Sequence, residues 1–136
     1  MIEKEDGEIF GCYINSTIDK VYSDPDWKSI KDENAFVFNL ESNGRHKRPI
    51  KFNIKKENCN KAFWLYEDYH PGLFSCGNDE ILIYKENKKS ESCCWQNENC
   101  YFDYRGVEKA LVQNPKKEWD DDKYFTPKRF IVIQMN

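Results

Sequence analysis

Glycine and proline are scarce in this chain, six and five among 136 residues, and the glycines do not cluster. No glycine-rich loop precedes a helix-forming stretch, so nothing reads as a phosphate cradle. No apolar run approaches the length of a membrane span. The first residues, Met1 to Gly7, are acidic and hold no apolar core of the kind a signal peptide needs. A cytoplasmic protein without an integral membrane segment is the expectation. An excess of positive charge is also missing. Lys and Arg total 21 against 24 Asp and Glu, a formal net charge of −3. That balance creates no general field for nucleic acid, and no nucleic-acid partner is expected.

Metal motifs are equally absent. Six cysteines and two histidines invite a zinc reading, but structural zinc sites use paired spacings such as C-x2-C. Here Cys93 and Cys94 are adjacent, and neighbouring strand residues point to opposite faces. Asn78-Asp79-Glu80 lacks the alternating oxygen ligands of a calcium loop. It reads as a turn in which Asp79 bonds its own backbone. No metal and no cofactor is expected. Without a secretory signal, the cysteines read as thiols rather than as a disulfide framework.

What the chain does have is aromatic residues, 15% of the total, which suit pleated and half-buried surfaces. Its length fits one domain over residues 1–136. Strands are expected at Glu8–Tyr13, Ala35–Leu40, Ile50–Ile54, Leu73–Cys76, Glu80–Tyr84, Ser92–Trp95, Tyr101–Tyr104 and Phe130–Gln134. Asn60–Tyr66 fits either a strand or a short helix, and Val107–Val112 a helical turn. Ser42-Asn43-Gly44 is a hairpin-type turn. Phe130–Gln134 is almost continuously apolar and is expected at the centre of a sheet. Alternation places Phe10, Phe36, Phe38, Phe52, Ile81, Ile83, Phe130 and Val132 in the core. The fold class is mainly β: a two-sheet antiparallel sandwich with one or two short helices.

Several segments, in order, resemble the TLDc family. Ile9-Phe10-Gly11-Cys12-Tyr13 is similar to its opening FGGY strand, and Trp27 to the tryptophan of the following loop. Phe36-Val37-Phe38-Asn39-Leu40 resembles its FLFSL strand, and Phe74 to Ile83 its FGxGxDLxI segment. Ser90–Tyr104 and Phe125–Gln134 resemble the later parts. Cys12 and Ser75 stand where the family has glycines, and an acidic residue is replaced near Ile131. The likeness begins inside the family's domain, which implies that the Glu8–Tyr13 strand has an unpaired edge. The resemblance also implies a non-catalytic interaction module, linked to protection against oxidative stress and to binding of the vacuolar proton-pumping ATPase.

Two functional classes follow. A docking module would use loop residues of the types enriched at interfaces, here Trp27, Arg45, Arg48 and Trp119, with Lys47 and Tyr69 beside them. Arg45 to Arg48 is equally a hydrated basic hairpin tip. A thiol-based redox sensor would need an exposed cysteine with a lowered pKa. Cys76 and Cys100 lie near turn signals and are the candidates. Cys12, and one of Cys93 or Cys94, read as small core residues. His70 reads as a loop residue. No nucleophile, base and orienting group are assembled by the sequence, so no catalytic residue is assigned.

Overall fold

The computed structural model describes residues 1–18, 29–112 and 123–133. Within them nine strands form two antiparallel sheets, which makes the fold a β-sandwich. In chain order they are β1 (Ile2–Lys4), β2 (Ile9–Tyr13), β3 (Ser29–Ile30), β4 (Phe36–Glu41) and β5 (Ile50–Asn53). Then come β6 (Phe63–Leu65), β7 (Gly72–Cys76), β8 (Ile81–Tyr84) and β9 (Pro127–Phe130). The five-stranded sheet runs β5-β4-β2-β1-β9 and the four-stranded one β3-β6-β7-β8. Short 3₁₀ segments lie at Lys56–Lys61 and Glu86–Glu91.

Burial alternates along the strands, as a two-layer fold requires. Phe10, Phe52, Ile81 and Ile83 are fully buried, together with Val37 and Phe102. Phe10 meets Phe125 edge-on with ring centroids 5.1 Å apart. The β4–β5 hairpin turns through Asn43 and Gly44, both at positive φ (51° and 85°), the pair of conformations that matches strand twist in a tight turn.

Four core assignments are overturned. On β4 the inward residues are Val37 and Asn39, while Phe36 and Phe38 point outward. Asn39 is buried because its amide reaches the Leu111 carbonyl at 2.8 Å. A buried amide with a partner is stable, and that fixes the register of the whole strand. Phe130 and Val132 are exposed, Val132 at 95%. The closing strand ends at Phe130 and lies at a sheet edge, not at its centre. Pro127 lacks a backbone N–H and suits an edge position. Gln134 lies outside the described residues.

The supposed open edge of β2 is paired as well. β1 occupies that side, with Ile2 opposite Phe10. β1 itself is closed by β9, with Ile2 opposite Phe130. Ser92–Trp95 and Tyr101–Tyr104 form isolated bridges, Leu82 with Cys93 and Ile54 with Phe102, instead of strands. Val107–Val112 contains no helix, but Ala110, Leu111 and Val112 are buried.

Candidate docking face

The sequence-derived site residues scatter. Trp27 and Trp119 lie outside the described residues. Arg45 turns inward. Its guanidinium pairs with Glu8 and donates to the carbonyls of Lys109 and Leu111. Glu8 is only 1% exposed and also takes Lys4 at 2.5 Å, while Lys4 reaches Asp6 at 3.0 Å. The neighbouring His46 ring contacts the Ala110 carbonyl at 2.9 Å. Half of the apparent basic tip thus clamps the β4–β5 hairpin onto residues 109–111. Only Lys47 and Arg48 of that run are exposed. Tyr69 is exposed too.

Neither cysteine candidate is an accessible thiol. Cys76 is fully buried and forms a disulfide with Cys12, joining β7 of one sheet to β2 of the other. Their Cα atoms are 6.8 Å apart. Cys100 is 5% exposed, and burial pushes its thiol up to about 11. Cys93 is likewise raised to about 11 by burial, and Cys94 well above the usual range. A thiol that resists ionisation is a poor nucleophile.

The Gly77 turn holds a buried carboxylate. Gly77 sits at φ +62°, and a Cβ there would collide with the Glu80 carboxylate and come within 2.8 Å of the Phe102 ring. Glu80 accepts hydrogen bonds from the amides of Asn78, Tyr101 and Phe102. Burial raises its pKa to about 6 against the pull of those amides. Asp79 accepts from the Ser75 hydroxyl at 3.0 Å instead of capping its own backbone. Ser75, itself fully buried, therefore has a specific partner.

Beside Glu80 lies a cavity of about 380 Å³, lined in part by Cys94, Trp95, Gln96, Lys109 and Lys123. Two of its polar side chains, Gln96 and Glu80, are engaged. The Gln96 amide donates to Val107 and accepts from the Ala110 N–H, and Glu80 holds three amides. Among the described residues nothing there pairs a nucleophile with a base. Among the described residues no group of three His, Cys, Asp or Glu side chains is placed to hold a metal ion. No helix among them is long and apolar enough to cross a membrane.

The surface that stands out is the outer face of the five-stranded sheet. Tyr13 stacks on Phe36 with centroids 4.8 Å apart, and Phe38 lies 6.1 Å from Phe36. Gly11 makes this possible. A Cβ there would come within 3.0 Å of the Phe38 ring and 3.1 Å of Met1. Phe36, Phe38, Leu40, Pro49 and Met1 line an open apolar groove of about 440 Å³, bordered by Lys51. Lys51 holds its ammonium 4.5 Å above the Phe36 ring. Leu40 is 43% exposed. A contiguous apolar patch on a sheet face, with a charged border, is the usual mark of an interaction site. Alternation along AFVFNL did show both faces of this strand, but it did not say which one is covered.

Compared with models of protein families, with characterised proteins and with solved structures, the chain matches none.

Proposed function

We propose that this chain is a non-catalytic protein-interaction module that docks through the outer face of its five-stranded sheet. One observation carries the reading: an apolar groove floored by the partly buried Phe36 and Phe38 and the exposed Leu40 opens at the surface, outside the sandwich core. The groove offers apolar area with cationic groups at its border, and no convergent polar groups of the kind that orient a small substrate. The resemblance to TLDc segments supports a finer version, in which the partner is a subunit of the vacuolar proton-pumping ATPase and the output is protection against oxidative stress. The thiol-sensor alternative has weaker support, because the free cysteines Cys59, Cys93, Cys94 and Cys100 are all buried.

The two readings separate in one experiment. Tagged wild-type chain, Leu40→Asp and a variant with the four free cysteines changed to serine are expressed in the source cells, after each is shown to fold. Captured proteins and survival in peroxide are measured together. Docking predicts that Leu40→Asp loses both captured partners and protection, while the cysteine variant keeps them. The opposite pattern rejects docking in favour of thiol chemistry. Proton-pump subunits among the proteins lost by Leu40→Asp would support the finer version.

A further inference from the structure

The border of the groove narrows the kind of partner, an inference that rests on the docking reading. Arg48 immediately precedes Pro49, a groove residue, and Lys51 borders the groove from β5. Lys47, Arg48 and Lys51 are all exposed, and among the described residues none of them meets a carboxylate. This concentration of cations stands on a chain whose formal net charge is −3. Arg45, by contrast, is neutralised by Glu8 inside the fold. One side of the groove therefore carries uncompensated positive charge next to an aromatic floor.

The backbone excludes one mode of occupancy. β5 is the end strand of the sheet, where an added strand would pair. Its far side is already engaged. The Lys51 carbonyl accepts from Arg105 at 2.9 Å, the Asn53 carbonyl accepts from the Asp103 N–H at 2.9 Å, and the Lys55 N–H donates to Tyr101 at 2.8 Å. An occupant must lie on the face instead of extending the edge. We infer that the partner is an acidic amphipathic helix, whose apolar stripe fills the Phe36–Phe38–Leu40 groove and whose carboxylates meet Lys51 and Arg48. A helix satisfies its own backbone and needs from the surface only apolar area and complementary charge.

Synthetic helical peptides of about 16 residues test this, a length at which helices begin to persist in water. One carries a leucine stripe with glutamates, a second the same stripe with lysines, and a third the acidic composition in scrambled order. Binding to the full chain is read by fluorescence anisotropy at low and high salt. Vesicles of neutral and anionic phospholipid form a separate arm read by co-sedimentation. The expected result is binding of the acidic amphipathic peptide alone, weakened by salt. Lys51→Glu with Arg48→Glu should lower its affinity about tenfold, as reversal of border charges does. Those two side chains are exposed, so their reversal leaves the fold intact, and Leu40→Ser serves as the apolar control. Preference for the basic peptide, indifference to charge reversal, capture by anionic vesicles in its place, or no binding at all overturns the inference. If the basic peptide binds and Leu40→Ser abolishes that binding, the docking face stands and only its partner was misread. If the acidic peptide binds wild type and Leu40→Ser equally, the face itself is rejected.

Discussion

Strand β4 has two faces of opposite character, and their contrast runs through the molecule. Inside, beside Val37, it places the amide of Asn39 on the Leu111 carbonyl, which Arg45 of the Glu8–Lys4–Arg45 cluster also reaches. Outside, it places Phe36, Phe38 and Leu40 at the surface. Polarity alone would have put these residues the other way round. What decides is whether each group has a partner. Buried polar groups cost little when their hydrogen bonds are made and a great deal when one partner is removed. The inner face is polar where it is satisfied, and the outer face is apolar where the described residues cover it only in part.

The contrast can be broken by substitution. The largest loss is expected inside, at Phe10→Ala, which removes a fully buried ring packed on Phe125. A loss of about 3–5 kcal/mol in denaturant unfolding is the expected outcome. Glu8→Ala comes next in certainty of mechanism. It leaves Arg45 without its carboxylate and takes one of two from Lys4, which keeps Asp6, and roughly 3–5 kcal/mol is the usual result of removing one member of a buried ion pair. A loss below about 1 kcal/mol would mean that water reaches this cluster.

Replacing both Cys12 and Cys76 by serine releases the link between the sheets and should cost about 2–4 kcal/mol. Mass spectrometry after thiol labelling of the unfolded, unreduced chain should count four free cysteines. A count of six would show that the bridge does not form.

Glu80 yields an expectation in pH. Its pKa in the fold is about 6, above the ordinary carboxylate value of 4.5. The folded chain therefore holds a proton that the unfolded chain has released between these two values. Stability from this group is highest below pH 4.5 and falls as pH rises to about 6, by roughly 2 kcal/mol. Wild type should lose that much relative to Glu80→Gln across the window, in parallel unfolding curves at several pH values. No change in the difference would place the carboxylate in contact with solvent.

The smallest effect belongs to the outer face. Phe38→Ala should cost about 1–2 kcal/mol, since its ring is only partly buried and returns less apolar area to water than Phe10 does. A loss as large as that at Phe10 would show that the outer face is part of a core, and the contrast between the two faces would collapse.

Much of the strand layout was legible from alternation. β2, β4, β5, β7 and β8 lie where periodic apolar residues and Asn-Gly or Pro-Gly turns place them. The inward face of β4 was not legible, because alternation identifies two faces without ranking them. The tie was broken by Leu111, which lies far away in sequence. β1 was hidden for a similar reason. Three residues, Ile2–Lys4, carry too little pattern to stand out from an acidic leader. β9 was misplaced because the apolar run Phe130–Ile133 looks central, whereas Pro127 was the better clue to an edge. The docking groove combined both problems. Its aromatic residues were recognised but assigned to the interior, and Arg45 was taken for a surface cation because nothing local reveals its pairing with Glu8.

The pairing of β1 with β9 sets a schedule for synthesis. Ile2 is translated 128 residues before its partner Phe130 (130 − 2). At roughly 5–20 residues per second, about 6–26 s separate the emergence of the two. Throughout that interval β1 can pair with β2 on one side only, and its other side presents backbone donors and acceptors to any passing chain. The nascent sheet therefore stays open to mispairing until β9, the last of its five described strands in chain order, emerges and closes it.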